Sequence, residues 1–398
     1  MKKSMFLAAV AAMVLAGCTK DESIVEQQEI GFQPLAYKAS QTKTETVDGD
    51  VSGSASSQQT FDNVITDAFY PINGPTFGLF AYQLEGVEEG TFDAANASAN
   101  LYINNKPVKY TAGNWRTDPK SFWPLQGSLT FIAYSPYSEN GKASHSINKV
   151  TTNEGATKLS SVLKITDFQA GTEEQKDLMW SNLSKDKTSN GSENNYPEAS
   201  PTYAGVPILF NHALCRIKIT AKTAEDYSGF ATYNLKQIQV VGLKDNATLT
   251  VTDDAAVWSS APSTPLGDFD FYSNDQLLTK DSNPVIYKNA ETAGDGLLAI
   301  PQSLDGVTLK VTYTMTVDPN DQVADDEVVT ETTKVVTLFK DDVLETLEQN
   351  KVYTLNLSIS ANEILYSPDV NEWESQYDSD DDDDLDKDYG ADYTIPGA

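Results

Sequence analysis

Hydrophobic and polar residues alternate along much of this chain, which predicts β-strands with one buried face. From Leu309 to Met315, for example, Leu, Val, Tyr and Met occupy every second position, with Lys or Thr between them. Clusters of Gly, Asn, Asp and Pro separate such segments, as is typical of antiparallel sheets. The clearest predicted strands are Phe77 to Tyr82, Ser128 to Tyr134, Ala213 to Thr220, Leu235 to Val241, Thr308 to Val317 and Tyr353 to Ser360.

Two of these strands show which residues should face the core. In the last one, Tyr353, Leu355, Leu357 and Ile359 are expected to be buried. In the strand from Ala213, the alternation places Cys215, Ile217 and Ile219 with Ala213 on the buried face, and Arg216, Lys218 and Thr220 on the polar face.

Helical periodicity is rare, and the segment from Asp341 to Asn350 is the one place that shows it, with Val343, Leu344 and Leu347 on one face. Many strands and few helices favour β-sandwiches, and a length of 398 residues favours two domains. The polar segment from Leu183 to Ser200 predicts a linker. We therefore expect an N-terminal domain over residues 29–200 and a C-terminal domain over residues 201–373.

The N-terminus has the features of an exported lipoprotein. Two lysines precede an apolar run from Met5 to Leu15, which has the length of a signal-peptide core but is too short to span about 30 Å of hydrocarbon. The run ends in Leu15-Ala16-Gly17-Cys18, which resembles a lipobox. Residues 1–17 are thus predicted to be a signal peptide cleaved between Gly17 and Cys18, with Cys18 acylated. Each buried CH₂ of its acyl chains contributes about 0.8 kcal/mol to membrane binding.

Residues 18–28 then form a lipidated tether. Lys20, Asp21 and Glu22 resemble the export signal that sends some lipoproteins to the outer face of the cell, and an ordinary polar tether is the alternative.

The formal net charge of −30 argues against nucleic acid as a partner, because binding phosphates requires clustered Lys and Arg. Residues 374–398 are predicted to be a disordered acidic tail, since the charge block from Asp378 to Asp388 cannot fold alone. A calcium loop of the EF type needs Gly at its sixth position, which this block lacks. We expect a solvated tail without a metal site.

No motif for catalysis or cofactor binding is found. The two histidines, His145 and His212, lie outside any HExxH pattern, and there is no nucleophile elbow, P-loop or dinucleotide fingerprint. Cys215 alternates with core residues and is interpreted as a buried thiol, and His212 as a hydrogen-bonded structural residue. We expect no catalytic, cofactor or metal residues. A glycosidase carboxylate pair and a sugar platform among the tryptophans stay open as alternatives.

Several segments, in order along the chain, resemble the fimbrillin family, the type V pilins and Mfa-like fimbrial lipoproteins of anaerobic Gram-negative bacteria. These segments are the lipobox, Thr76 to Tyr82, Phe122 to Pro124, Leu129 to Tyr137, Gln175 to Met179, Phe210 to Lys218, Ile300 to Gln302, Asn350 to Tyr353 and Trp373. The aspartate-rich tail lies outside the family pattern.

The resemblance implies an all-β protein with two transthyretin-like β-sandwich domains in tandem. It also implies that a lipidated precursor reaches the cell surface, where a protease cuts after Arg or Lys and removes the first strand. A strand of the next subunit then fills the emptied groove.

Here the first strand would be Glu29 to Tyr37, with Ile30 and Phe32 facing inward. Family members often carry Thr-Arg-Ala just behind it, whereas this chain has Thr42-Lys43-Thr44. Lys43 is therefore the candidate maturation cleavage site, and an uncleaved anchor subunit is the alternative. The candidate donor strand comprises Ile364, Leu365 and Tyr366.

The expected function is a structural or accessory subunit of surface fimbriae that supports adhesion. Its expected partners are other fimbrial subunits, in a homo- or hetero-polymer, the outer membrane through the lipid anchor, and a host glycan or protein. No cofactor and no nucleic acid are expected. The alternatives are a monomeric surface lipoprotein that binds a glycan or host ligand, and a surface hydrolase.

Overall fold

The computed structural model describes residues 28–36, 77–84, 100–111, 114–139, 149–151, 163–170, 177–188, 205–252, 255–259, 266–281, 285–286, 296–317 and 327–372. Within these ranges the chain forms strands and no helix, so the all-β prediction is confirmed. The same ranges accordingly offer no helix with the length and apolarity needed to cross a membrane.

The strands are β1 Gly31–Ala36, β2 Phe77–Leu84, β3 Asn100–Thr111, β4 Asn114–Thr117, β5 Ser128–Ser135, β6 Lys149–Thr151, β7 Leu163–Gln169, β8 Met179–Ser181, β9 Ser184–Lys187, β10 Val206–His212, β11 Cys215–Thr223, β12 Ala231–Lys244, β13 Asn246–Val251, β14 Ala256–Ser259, β15 Leu266–Leu278, β16 Val285–Ile286, β17 Leu297–Ala299, β18 Gln302–Ser303, β19 Thr308–Val317, β20 Val328–Thr337, β21 Thr346–Leu347, β22 Lys351–Ile359 and β23 Ile364–Glu372.

The first group of sheets encloses an aromatic core. An eight-stranded sheet has the order β2-β3-β4-β1-β10-β8-β5-β9, and β2 also pairs with β5. A four-stranded sheet, β14-β13-β7-β6, contributes apolar residues to the same buried cluster. Phe77 illustrates the packing: its ring centroid lies 5.4 Å from that of Phe210 and 5.8 Å from that of Trp115. Offset and edge contacts of this kind are favourable between aromatic rings.

The second group forms a separate core between two sheets. One has the order β16-β11-β22-β23, with β17 also on β11, and the other has the order β15-β12-β19-β20. β18 and β21 form a small two-stranded sheet nearby. The residues of the buried cluster between the two larger sheets extend along the sequence from Cys215 to Ile359.

The predicted domain boundary at residue 200 stays a prediction. β10, β13 and β14 all follow this position in sequence, and their apolar residues belong to the first buried cluster. The second cluster begins at Cys215, directly after Leu214 of the first. The chain therefore passes between the two cores more than once.

All six predicted strands are present, as β2, β5, β11, β12, β19 and β22. The alternation predicted for β22 is confirmed, since Tyr353, Leu355, Leu357 and Ile359 are buried and the residues between them are half-buried. Leu309, Val311 and Tyr313 on β19 are likewise buried, as expected, but Met315 is only half-buried and Thr314, on the other face, is buried.

The helix predicted from Asp341 to Asn350 is wrong. This segment is a turn followed by β21, with a bridge between Lys340 and Leu344 and positive φ at Asp342 and Asn350. Leu344 and Leu347 are buried, whereas Val343 is 53% exposed. Two leucines three residues apart also fit a turn that directs both side chains to the core, so their spacing alone did not prove a helix.

Two further expectations need correction. The linker predicted from Leu183 to Ser200 begins with a strand, β9, which pairs with β5, and residues 189–200 lie outside the described residues.

Arg216 and Thr220 were expected on a polar face but are buried. β11 is an inner strand. Arg216 lies opposite Leu298 of β17 and Val352 of β22, and both of these residues pack against the first core. A strand lying between two cores is covered on both faces, whatever its polarity pattern.

Candidate assembly site around the first strand

β1 is an inner strand of the eight-stranded sheet. It lies between β4, to which it is antiparallel, and β10, to which it is parallel. Phe32 is in register with Trp115 of β4 and with Val206 of β10. The first strand expected from Glu29 to Tyr37 is confirmed from Gly31 to Ala36, while Tyr37 lies outside the described residues. Because β1 is paired on both sides, its removal would expose two strand edges at once.

The two inward residues expected in this strand are confirmed. Ile30 and Phe32 are buried, and the Phe32 ring meets Phe131 edge-on with 5.6 Å between ring centroids. Fully burying side chains of this size contributes about 1.5–3 kcal/mol each. Phe32 of β1 and Ile30 directly before it therefore supply two of the apolar side chains that complete the first core.

A glycine lets the neighbouring backbone approach β1 closely. Gly205, which precedes β10, has φ of +106°, and a Cβ at this position would lie 2.6 Å from the Phe32 backbone nitrogen. Both the positive φ and the missing space require glycine.

Charged groups fasten the N-terminal end of β1. The carboxylate of Glu29 forms ion pairs with Arg116 of β4 and with Lys120, whose Nζ lies 2.7 Å from Glu29 Oε2. The Glu29 side chain is only 10% exposed. The backbone contributes as well, because the Ile30 N–H donates to the Ser121 carbonyl at 2.9 Å. We call the group Glu29, Arg116 and Lys120 the β1 clamp.

The β1 clamp is a feature that the sequence did not reveal. Nothing in the sequence singles out Arg116 as a partner of Glu29, and 87 residues separate the two. No local pattern links residues so far apart, so the pair could be found only from the three-dimensional register of β1 and β4.

The candidate donor residues lie on β23, which pairs with β22 at the edge of its sheet. Ile364 and Tyr366 pack against the second core, whereas Leu365 is 59% exposed. The Tyr366 hydroxyl donates to the Leu338 carbonyl, and the Lys340 ammonium lies 5.5 Å from the Tyr366 ring centroid. This segment thus packs against the second core, and among the described residues it pairs with β22 and not with β1.

The other predicted site residues lie outside the described residues. They are Gly17 and Cys18 of the signal cleavage and lipidation site, the export signal Lys20, Asp21 and Glu22, and the candidate cleavage residue Lys43.

Cys215 and His212 have the structural roles expected of them. Cys215 is buried, its thiol donates to the Ala299 carbonyl at 3.3 Å, and burial raises the pKa of the Cys215 thiol well above its ordinary value. His212 is buried and its Nδ1 lies 2.5 Å from Asp177 Oδ2, also buried. A protonated, inaccessible thiol is a poor nucleophile.

The tryptophans of the described residues do not form an exposed platform. Trp115, Trp123 and Trp180 are buried, and Trp258 is half-buried with its Nε1–H donating to the Ala213 carbonyl at 2.7 Å. Trp373 lies outside the described residues. Across the part of the chain that the structure describes, no three His, Cys, Asp or Glu side chains come together as metal ligands.

One family model matches most of this chain. The model of the fimbrillin-like family matches residues 72–373. Among solved structures, the chain is similar to a fimbrial protein from Bacteroides vulgatus, with a TM-score of 0.60 and 17% identity, covering 87% of this chain and 100% of that one. At this identity the likeness shows the fold alone.

A candidate cell adhesion protein from Bacteroides uniformis is also similar, with 16% identity over 78% of this chain and 95% of that one. Its TM-score of 0.42 is too low to support any inference. No curated protein sequence matches the chain.

Proposed function

Because the chain belongs to the fimbrillin-like family, whose model matches residues 72–373, we propose that it is a structural or accessory subunit of cell-surface fimbriae. In this proposal the chain is exported as a lipoprotein through Cys18 and the signal Lys20 to Glu22, and is anchored in the outer membrane. It folds as two transthyretin-like sandwiches, joins other subunits by strand addition, supports adhesion and has no enzymatic activity.

The observation that carries this proposal is the position of β1 inside its sheet. A cut at Lys43 would separate the segment that contains β1 from the rest of the chain. Loss of β1 would then leave the facing edges of β4 and β10 unpaired and the Ile30 and Phe32 pockets open to water. Unpaired backbone groups and wet apolar walls are costly, so a strand of suitable pattern would bind in the groove.

The candidate donor segment has the pattern of the strand that it would replace. Glu29-Ile30-Gly31-Phe32 and Glu363-Ile364-Leu365-Tyr366 both read acid, isoleucine, variable residue, aromatic residue. The burial also agrees, since Ile30 and Phe32 face the first core and Ile364 and Tyr366 pack against the second. In the groove of a second copy, Ile364 would take the place of Ile30, Tyr366 that of Phe32, and Glu363 that of Glu29 beside the basic clamp residues.

The proposal is tested by removing residues 18–43 and following oligomers on unheated and heated gels. We expect the truncated chain to form heat-sensitive ladders and the uncleaved chain to form none. A peptide of residues 361–372 should cap the groove and suppress the ladders. The same peptide with Ile364→Asn and Tyr366→Asn should fail to do so, whereas one with Leu365→Asn, which changes the outward residue, should still act.

Two outcomes would contradict this assembly. A truncated chain that stays a stable monomer favours the alternative, a monomeric lipoprotein that binds a glycan or host ligand. Ladders that disappear only when Asp378 to Asp388 are deleted would place the joint in the acidic tail instead of β23.

A further inference from the structure

β20 is a long and regular strand at the end of its sheet. It pairs with β19 through ten consecutive residue pairs without a bulge, and it is the last strand in the order β15-β12-β19-β20. Its sequence, Val-Val-Thr-Glu-Thr-Thr-Lys-Val-Val-Thr from Val328, is almost entirely β-branched. Such residues favour strands, and a straight edge of this composition is a template for a further strand.

The valines of this edge are unusually exposed. Val328, Val329 and Val335 are 56%, 62% and 63% exposed, while Val336 packs partly against the second core. Natural sheets commonly protect an edge with bulges, prolines, a short strand or charged side chains. β20 has ten residues, no bulge and no proline, and its charged residues are limited to Glu331 and Lys334.

The order of residues in β20 is symmetric about its centre. Two valines, five intervening residues and two valines are arranged around Thr332. In an antiparallel pair of identical strands related by a two-fold axis through Thr332, Val328 lies opposite Val336 of the second copy and Val329 opposite Val335. Directly opposite residues share one face of the sheet, so this register also keeps like faces together.

Neighbouring registers lose this match. Moving the pairing by two residues in either direction places no valine opposite another valine. In the centred register Lys334 faces Thr330 of the second copy, so no like charges are directly opposite. The Val328 side chain would lie beside Val336 of the second copy and enlarge the apolar surface there.

We propose that β20 is a self-association edge, at which a second copy of this chain pairs antiparallel about Thr332. This pairing joins the four-stranded sheet of one copy to the same sheet of the second copy and so forms one eight-stranded sheet. It uses neither β1 nor β23, so it is independent of strand addition and would join subunits side by side.

The negative charge of the chain makes this pairing depend on salt concentration. Glu331 lies diagonally across from Glu331 of the second copy, and each chain has a formal net charge of −30. Added salt screens repulsion of this kind, so association should strengthen between low and physiological ionic strength.

The first experiment measures the oligomeric state of the uncleaved full chain carrying Cys18→Ala, by sedimentation velocity over a range of concentrations. We expect a reversible dimer, with a dissociation constant raised tenfold or more by Val329→Lys together with Val335→Lys. Val257→Lys, at a 60% exposed valine of β14, is the matched control and should have no effect. A monomer at every concentration, or a dimer unaffected by the β20 lysines, would overturn the proposal.

The second experiment tests the register. Opposite Cα atoms in an antiparallel pair are about 4.5–5.5 Å apart, within reach of a disulfide, so Thr332→Cys should cross-link two copies on mild oxidation. Thr330→Cys would lie four residues from its counterpart, about 13 Å away, and should not cross-link. Both variants are made in the Cys18→Ala chain, whose remaining cysteine, Cys215, is buried and gives no background. Equal cross-linking of the two variants, or none with Thr332→Cys, rejects this register.

Discussion

Gly78 of β2 lies opposite Tyr134 of β5, and the Tyr134 ring occupies the space that a side chain at position 78 would need. A Cβ there would lie 2.3 Å from Tyr134 Cε1. The tyrosine cannot easily move, because its hydroxyl lies 2.7 Å from Asn105 Oδ1 and 2.9 Å from the Ser138 carbonyl.

Gly78→Ala should therefore destabilise the protein. Overpacking a rigid core site costs about 1–3 kcal/mol, which should appear as a lower free energy of unfolding in urea. Tyr134→Leu removes the obstructing atoms, so the double variant should lose less stability than the sum of the single losses. Strict additivity would show that the two residues do not interfere.

Buried tyrosines make the second core sensitive to alkali. Burial, together with the neighbouring Tyr227 and Tyr313, raises the pKa of Tyr233 to about 12. The ring centroids of Tyr227 and Tyr313 lie 4.8 Å and 5.9 Å from that of Tyr233. In the unfolded chain the hydroxyl ionises near the ordinary tyrosine pKa of 10.0, so the contribution of Tyr233 to stability is complete below that pH and is lost as the pH rises toward 12.

Replacing Tyr233 by Phe should reduce this loss. The free energy of unfolding of the variant should differ from that of the unaltered protein by a constant amount at pH 7–9. Between pH 10 and 12 the variant should fall less steeply, because one ionising group is gone. Parallel curves up to pH 12 would assign the alkaline loss to other tyrosines.

At the scale of elements, β1 is held by its two neighbours and by the β1 clamp. Glu29→Ala should leave Arg116 and Lys120 without their shared carboxylate and cost about 1–3 kcal/mol, the range for a partly buried hydrogen bond to a charged group. The loss should also appear as faster hydrogen exchange at Ile30 and Phe32. Asp275→Ala, which breaks an ion pair of Lys236 with a 58% exposed carboxylate, is the control and should change little. Equal losses in both variants would contradict a clamp at β1.

At the scale of the whole molecule, the proposed lipid anchor at Cys18 leads to a prediction about where the protein is held. Cys18→Ala should leave the chain unacylated, and the chain should then leave the membrane fraction after a carbonate wash, because the sequence contains no run of about eighteen apolar residues. A control substitution at Thr19 should keep the chain membrane-bound. Retention of the Cys18→Ala chain in membranes would mean that another contact anchors it.

Local pattern was enough to predict several of the strands and the direction of most side chains in them. Alternation correctly predicted the burial of Leu355 and Leu357 on β22, because a strand repeats every two residues and one face of it is apolar. The burial of Ile30 and Phe32 at the first strand was expected from the resemblance. Alternation failed at Arg216, since a side chain on the second face is covered by residues that only the tertiary structure brings there. Helical spacing failed at Asp341 to Asn350, because a turn can place apolar residues at the same spacing as a helix.

Pairing between distant segments is what the sequence by itself left undetermined. Its periodicity predicted an all-β chain and its resemblance a fimbrillin-like one, since these features are local. Only the tertiary structure decided that β1 lies between β4 and β10, that Glu29 meets Arg116, and that β20 lies at the edge of its sheet. Strand order depends on which backbone edges find one another across tens of residues, and side-chain alternation is the same whichever neighbour a strand has.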